Sequence, residues 1–104
     1  MSFGVMGGHY QPQGQVHVLT NMIDYGMDIQ TALDTPRVFA DPDGPVDVEQ
    51  GIPMDVVAKL KEVGNTINPV VTPHGGGQGI WINWETGVLT GGSEPRKDGC
   101  ALGC

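Results

Sequence analysis

The sequence predicts an α+β fold with a mainly antiparallel sheet and packed helices, and three observations carry that expectation. The apolar segments read in order as strand, helix, helix, hairpin, helix and strands, which is not the regular alternation of a parallel, doubly wound sheet. An Asp41-Pro42-Asp43-Gly44 turn separates two short β-prone runs. Seventeen glycines and eight prolines among 104 residues punctuate apolar segments instead of forming a low-complexity tract, which marks a folded, loop-rich chain. The length suits a single domain over residues 1–104, at roughly 100–200 residues per domain. With two residues each of Phe, Tyr and Trp, the core has to be mostly aliphatic.

Phe3-Gly4-Val5-Met6 is a short apolar run that reads as a buried strand, broken by Gly7-Gly8. Pro12 suits the first turn of a helix running to Tyr25, with Val16, Leu19, Met22 and Ile23 on one stripe and Gly26 as its stop. Gly14 within that helix implies close backbone packing, since glycine there costs up to about 1 kcal/mol relative to alanine. Asp28 caps a short second helix that Pro36 ends. Arg37-Val38-Phe39 and Val46-Asp47-Val48-Glu49 form the hairpin. Pro53 then opens the clearest helix, with Val56, Val57, Leu60 and Val63 on one face and Gly64 as its end, packed over the sheet that includes the strand Gln78–Trp84. Ile67–Val71 then leads to the loop His74-Gly75-Gly76-Gly77. The strand Gln78–Trp84 sets Ile80, Ile82 and Trp84 on one face and Trp81 on the other, so it wants apolar cover on both sides. Glu85-Thr86-Gly87 turns it into Val88-Leu89-Thr90.

Charge excludes one class of function. Five Lys and Arg against twelve Asp and Glu give a net charge of −7, and five cations cannot lay a basic stripe along a phosphate backbone, so no nucleic-acid partner is expected. No apolar run approaches the roughly 20 residues of a membrane span, and no signal segment opens the chain. Localisation stays open. Cys100 and Cys104 could close a small terminal disulfide, but free thiols in a frayed tail are the plainer expectation. His9, His17 and His74 lack ligand spacing, so neither a metal nor a cofactor is expected.

Two glycine runs invite a chemical reading. Gly75-Gly76-Gly77-Gln78-Gly79 runs into a strand and lacks a following Lys-Ser/Thr, so it reads as a hairpin entry and not a phosphate loop. Gly7-Gly8 ends a strand just before a helix, where unpaired N–H groups and the positive end of the helix dipole favour a developing anion. It is either an oxyanion hole or a plain strand-to-helix turn. Ser2 and Ser93 lie in no nucleophile-elbow pattern, and no nucleophile and base can be assembled from the spacing.

Taken as a longer pattern, residues 3–14 (FGVMGGHYQPQG) resemble the oxyanion-hole segment of the gamma-glutamyltranspeptidase (gamma-glutamyltransferase) family. Asn21–Asp28, Ala32–Arg37, Gly75–Gln78 and Gly91–Ala101 continue the resemblance in the same order over nearly the whole chain. The resemblance implies part of an N-terminal-nucleophile hydrolase, an αββα sandwich made by self-cleavage of a precursor into large and small subunits. In such enzymes the threonine heading the small subunit attacks the γ-glutamyl carbonyl of glutathione or a related amide. Its own α-amino group acts as base, and the glutamyl group passes to water or an amino acid. Gly7 and Gly8 match the backbone donors to the tetrahedral oxyanion.

This chain resembles the C-terminal part of the small subunit, so the nucleophile would lie upstream. Thr20, Thr31 and Thr35 sit in helical segments and cannot replace it. Met1-Ser2 runs straight into the first strand, as an internal methionine or a gene remnant would, and Cys104 stands where the family commonly has an aromatic residue. The chain alone is therefore predicted to be inactive, with a γ-glutamyl substrate such as glutathione bound only in the complete enzyme. Self-association or pairing with the missing chain is expected. The alternatives are a non-catalytic binding or assembly module, and a fragment of a related amide acylase.

Overall fold

Extended backbone at Ser2–Met6 (β1) ends where Gly7 and Gly8 take positive φ, 136° and 59°. A 3-10 turn, Gly8–Tyr10, runs directly into α1 (Gln11–Ile23), with Pro12 in the first turn where an N–H has no helical partner to lose. The remaining elements are α2 (Ile29–Asp34), β2 (Val38–Ala40), β3 (Val46–Glu49), α3 (Met54–Glu62), β4 (Ile67–Val70), β5 (Gly76–Ile82) and β6 (Leu89–Ser93). The structure, a computed structural model, describes residues 1–103. Cys104, and with it any Cys100–Cys104 pairing, lies outside the described residues, and Cys100 is exposed. The chain forms two units: Met1–Thr35 together with the chain from Gly75 onward, and Pro36–His74.

The first unit is a three-stranded antiparallel sheet in the order β1-β5-β6, with Ser2 opposite Ile80 and Gln78 opposite Ser93. Helices α1 and α2 pack on it. The close approach of α2 comes from what the strands lack. A Cβ at Gly79 would lie 2.8 Å from Ile29, and one at Gly77 would lie 2.5 Å from Leu33. Val5, Val18, Ile29, Ala32 and Leu33 form the buried core here, each larger aliphatic side chain contributing about 1.5–3 kcal/mol by leaving water. Asp28 caps α2 as expected. Its carboxylate accepts the Thr31 N–H at 2.9 Å and the Thr31 hydroxyl at 2.8 Å, and these bonds hold its pKa below the ordinary carboxylate value.

Two expectations change in this unit. The covered face of α1 is Gly14, Val18 and Asn21, whereas Val16 and Ile23 of the anticipated stripe are 62% and 75% exposed. The reason is Gly14. A Cβ there would meet the Tyr10 ring at 2.5 Å and Val5 at 2.8 Å, so the helix lies closest to β1 where it has no side chain. β5 also begins two residues earlier than Gln78 and stops at Ile82, because the Asn83 carboxamide oxygen accepts the N–H groups of Glu85 and Thr86 and closes the turn. Ile80 and Trp81, on opposite faces, are each 46% exposed, so the two-sided cover that the strand calls for is not supplied by the described residues.

In the second unit, β2 and β3 form the expected antiparallel hairpin. Asp41 caps its turn by accepting the Asp43 N–H at 3.0 Å, and its carbonyl accepts the Gly44 N–H at 3.3 Å. β3 and β4 pair in parallel, which requires a crossover, and α3 is that crossover. This corrects the expected position of α3. It packs beside β4 in the β2-β3-β4 sheet, while the strand containing Gln78–Ile82 belongs to the other sheet. Of its apolar positions, Val57 and Leu60 are half-buried and Val63 is exposed. Val46 and Val48 are buried together with Arg37 and Glu49. The Arg37 N–H donates to Glu49 Oε2 at 3.0 Å, and the Arg37 guanidinium donates to the His74 carbonyl at 3.1 Å.

Asp47 on β3 accepts a 2.7 Å hydrogen bond from the Asn68 carboxamide and lies 2.8 Å from His74 Nε2, whose ring also meets Phe39. The Asn68 bond, then the His74 contact, holds the Asp47 pKa below its ordinary 3.8 against the opposing effect of burial. A depressed folded pKa contributes stability that is present above the unfolded value and is lost as pH falls through the folded one. Urea midpoints measured from pH 5 downward should therefore fall below about pH 4 in the native protein, and Asp47→Asn should flatten that acid limb. Superimposable limbs would remove the Asp47 cluster as a cause.

Candidate functional site

The Gly7-Gly8 turn lies against Gly75 and the Tyr10 side chain. Both glycines are exposed and stand at the start of a helical run, where first-turn N–H groups have no partner within the helix. The Gly7 carbonyl accepts the Tyr10 N–H at 3.1 Å and closes the turn, while the Tyr10 ring is buried beneath it. Gly75 lies against this turn from the other end of the chain. A Cβ at Gly7 would stand 3.0 Å from the Gly75 Cα, and a Cβ at Gly75 would stand 2.7 Å from the Met6 carbonyl oxygen. Gly75 has φ 69°, and the contact works only because neither position carries a side chain. Two adjacent main-chain amides, exposed and at the positive end of a helix, suit a small or developing anion.

The loop containing Gly75 is fixed by residues that look like solvated tail charges in the sequence. Glu94 is buried, and its side chain is fully covered. Its Oε2 accepts the Gly77 N–H at 2.6 Å, and its Oε1 accepts from the Arg96 guanidinium at 2.7 Å and from the Arg96 N–H at 3.2 Å. Arg96 also donates to the Leu33 carbonyl at 2.8 Å and the Thr35 carbonyl at 3.0 Å, which satisfies the last turn of α2. In the sequence Glu94 and Arg96 only flank a proline in a glycine-rich stretch, which gives no sign that their charges are covered.

The other residues singled out in the sequence fall elsewhere. His9 is exposed in the 3-10 turn, His17 lies 3.1 Å from the Asn21 carboxamide within α1, and His74 pairs with Asp47 in the second unit. Ser2 opens β1, and the main chain of Ser93 at the end of β6 exchanges hydrogen bonds with the Gln30 carboxamide. Thr20 and Thr31 are inside helices, and Thr35 caps α2. Gly76 and Gly77 are the first residues of β5, so the triple glycine is a strand entry. On the sheet face away from α2, a cleft of about 990 Å³ is lined by Ser2, Gly4, Gln78, Ile80, Gly91 and Leu102 among others, and its lining includes neither Gly7 nor Gly8. Among the described residues there is no group of three or more His, Cys, Asp or Glu placed to hold a metal ion, and no helix long and apolar enough to cross a membrane.

The chain is similar to several known proteins. The chain is 34% identical to the glutathione hydrolase-like YwrD proenzyme of Bacillus subtilis, over 97% of this chain and 21% of that protein. It is 27% identical to the oxamate amidohydrolase proenzyme of Klebsiella pneumoniae, over 99% of this chain and 21% of that protein. Among solved structures it superimposes on the cephalosporin acylase of Bacillus halodurans with a TM-score of 0.88 and 46% identity, covering 92% of this chain and 18% of the other. An acivicin-inhibited gamma-glutamyltranspeptidase gives a TM-score of 0.82 and 31% identity, with 92% of this chain and 53% of the other covered. The chain thus spans about a fifth of the length of the curated relatives it matches. Its α+β architecture, with mainly antiparallel sheets and packed helices, is that of the N-terminal-nucleophile hydrolases. A match to the gamma-glutamyltranspeptidase family covers residues 1–104, so the chain belongs to that family.

Proposed function

We propose that this chain is the oxyanion-binding, C-terminal part of an amide-cleaving acyltransferase or hydrolase, acting on the γ-glutamyl amide of glutathione or a similar compound. The single observation that carries this reading is the exposed Gly7-Gly8 turn at the head of a helical run, inside a chain matched to the family along its full length. An N-terminal threonine from the rest of the enzyme would attack the amide carbonyl, with its α-amino group taking the hydroxyl proton. The carbonyl oxygen, now an anion, would accept hydrogen bonds from the Gly7 and Gly8 amides. The amine would then leave with a proton and the acyl group would pass to water or an amino acid.

Nothing in residues 1–104 supplies that threonine, so the purified chain should release no aniline from a γ-glutamyl anilide. Joined behind the threonine-headed segment of the YwrD proenzyme in place of the matching residues, it should restore release. A joined protein that self-cleaves and folds, yet turns over no amide, would overturn the proposal. The 46% identity to a cephalosporin acylase favours a second reading, an amide acylase of different acyl preference. The same joined protein assayed on a cephalosporin amide separates the two.

The partner is a further protein surface. Ile80, Trp81, Trp84 and Leu89 on the β5–β6 hairpin are open to solvent, Trp84 at 82% exposure. In isolation the chain should hide them by self-association, so sedimentation should show species larger than a monomer. Added salt should favour those species by screening the net charge of −7. A monomer at every concentration and salt level would show that the hairpin tolerates water.

A further inference from the structure

We propose that Glu94 is a positioning residue for the Gly7-Gly8 turn. It acts on the proposed site through the glycine strand entry; the inference rests on the functional reading above for its catalytic consequence but not for its structural one. In the register of β5 with β6, Gln78 faces Ser93, so Gly77 would face residue 94 if β6 continued. The chain turns there instead: the Glu94 carbonyl accepts the Lys97 N–H at 3.4 Å, and Pro95 supplies the fixed φ of the turn. The Glu94 carboxylate takes over from the main chain and accepts the Gly77 N–H at 2.6 Å. The ladder is thereby extended by one rung at the end of the strand that leads back to Gly75.

Gly75 is the surface on which Gly7 rests, with a Gly7 Cβ position only 3.0 Å from the Gly75 Cα. Glu94 is itself held by Arg96, which is tied to the end of α2 through Leu33 and Thr35. A continuous path of hydrogen bonds and backbone contact therefore joins α2 to the turn: Arg96, Glu94, Gly77, Gly75, Gly7. A carboxylate suits this post better than an amide because it is an acceptor at both oxygens. A glutamine would turn an NH2 group against either the Gly77 N–H or Arg96.

The test uses amide signals of the 104-residue chain, compared between the native protein and Glu94→Gln. The expected result is a shift in the Gly75, Gly7 and Gly8 resonances and at least a tenfold faster hydrogen exchange at the Tyr10 amide that closes the turn, with the interior amides of α1 around Val18 unchanged. Glu94→Asp keeps the charge for Arg96 but draws back from Gly77. It should move the same signals and serves if the glutamine variant does not fold. Changes confined to Gly77 and Arg96, or an equal acceleration of every amide, would overturn the proposal. In the joined enzyme, Glu94→Gln should lower kcat at least tenfold while KM stays within twofold. Moved Gly7 and Gly8 signals with an unchanged kcat would uphold Glu94 as the positioning residue and overturn the oxyanion reading.

Discussion

Replacing Arg96 by leucine is expected to cost about 3–5 kcal/mol, because it leaves the Glu94 carboxylate buried without its counter-charge. The pair is closely covered, with side-chain exposures of 9% for Arg96 and 0% for Glu94. The same substitution strips two donors from the carbonyls at the end of α2. For a chain of about 100 residues each kcal/mol moves the Tm by roughly 4–8 °C, so the melting point should fall by more than about 12 °C. Replacing both residues by apolar ones should cost less than the sum of the single changes, since no lone charge is then buried. Thermal melts of the two single variants and the double variant measure this. A loss below about 1 kcal/mol for Arg96→Leu would mean that the pair behaves as a solvated surface pair.

The second large effect belongs to Gly75, and it can be split into two causes. Gly75 and Gly26 have nearly the same backbone angle, φ 69° and 67°. A Cβ at Gly26 meets nothing within 4 Å, whereas one at Gly75 lies 2.7 Å from the Met6 carbonyl oxygen and 2.7 Å from the Tyr10 ring. Gly26→Ala should therefore cost about 1–2 kcal/mol, the left-handed backbone alone. Gly75→Ala adds a collision with main chain and a rigid ring, about 1–3 kcal/mol more. Denaturant midpoints for the two variants give the difference directly. Equal losses would show that the strand entry can draw away from the Gly7-Gly8 turn.

What could be read from the sequence follows the strength of local signals. The Asp28 cap, the Asp41–Gly44 turn and the start of α3 after Pro53 are where the local chemistry sets them, because each is decided within a few residues. The covered face of α1 departs from its apolar stripe because a glycine adds nothing to an apolar pattern, yet Gly14 is where α1 comes nearest its neighbours. The parallel pairing of β3 with β4 is a long-range choice that neither strand carries in its own residues. At the candidate site, the Gly7-Gly8 turn was legible from the punctuation of strand by helix. Its supports were not. Glu94 and Arg96 are charged residues in a glycine-rich stretch, and only the fold shows that one is fully covered and the other nearly so.

The pairing of β1 with β5 also sets an order of events during synthesis. Ser2 waits for Ile80, and Met6 waits for Gly76, so β1 lacks its β5 partner until the chain through Gly76 and beyond has followed it. Pro36–His74 is contiguous and holds its own sheet and crossover helix, so it can close while β1 is still unpaired. Non-local closure of this kind slows folding and keeps an open strand edge in solution meanwhile. A nascent chain halted after His74 would therefore carry β1 as a sticky edge, and the residues from Gly76 to Ile80 would act as its in-built chaperone once they emerge.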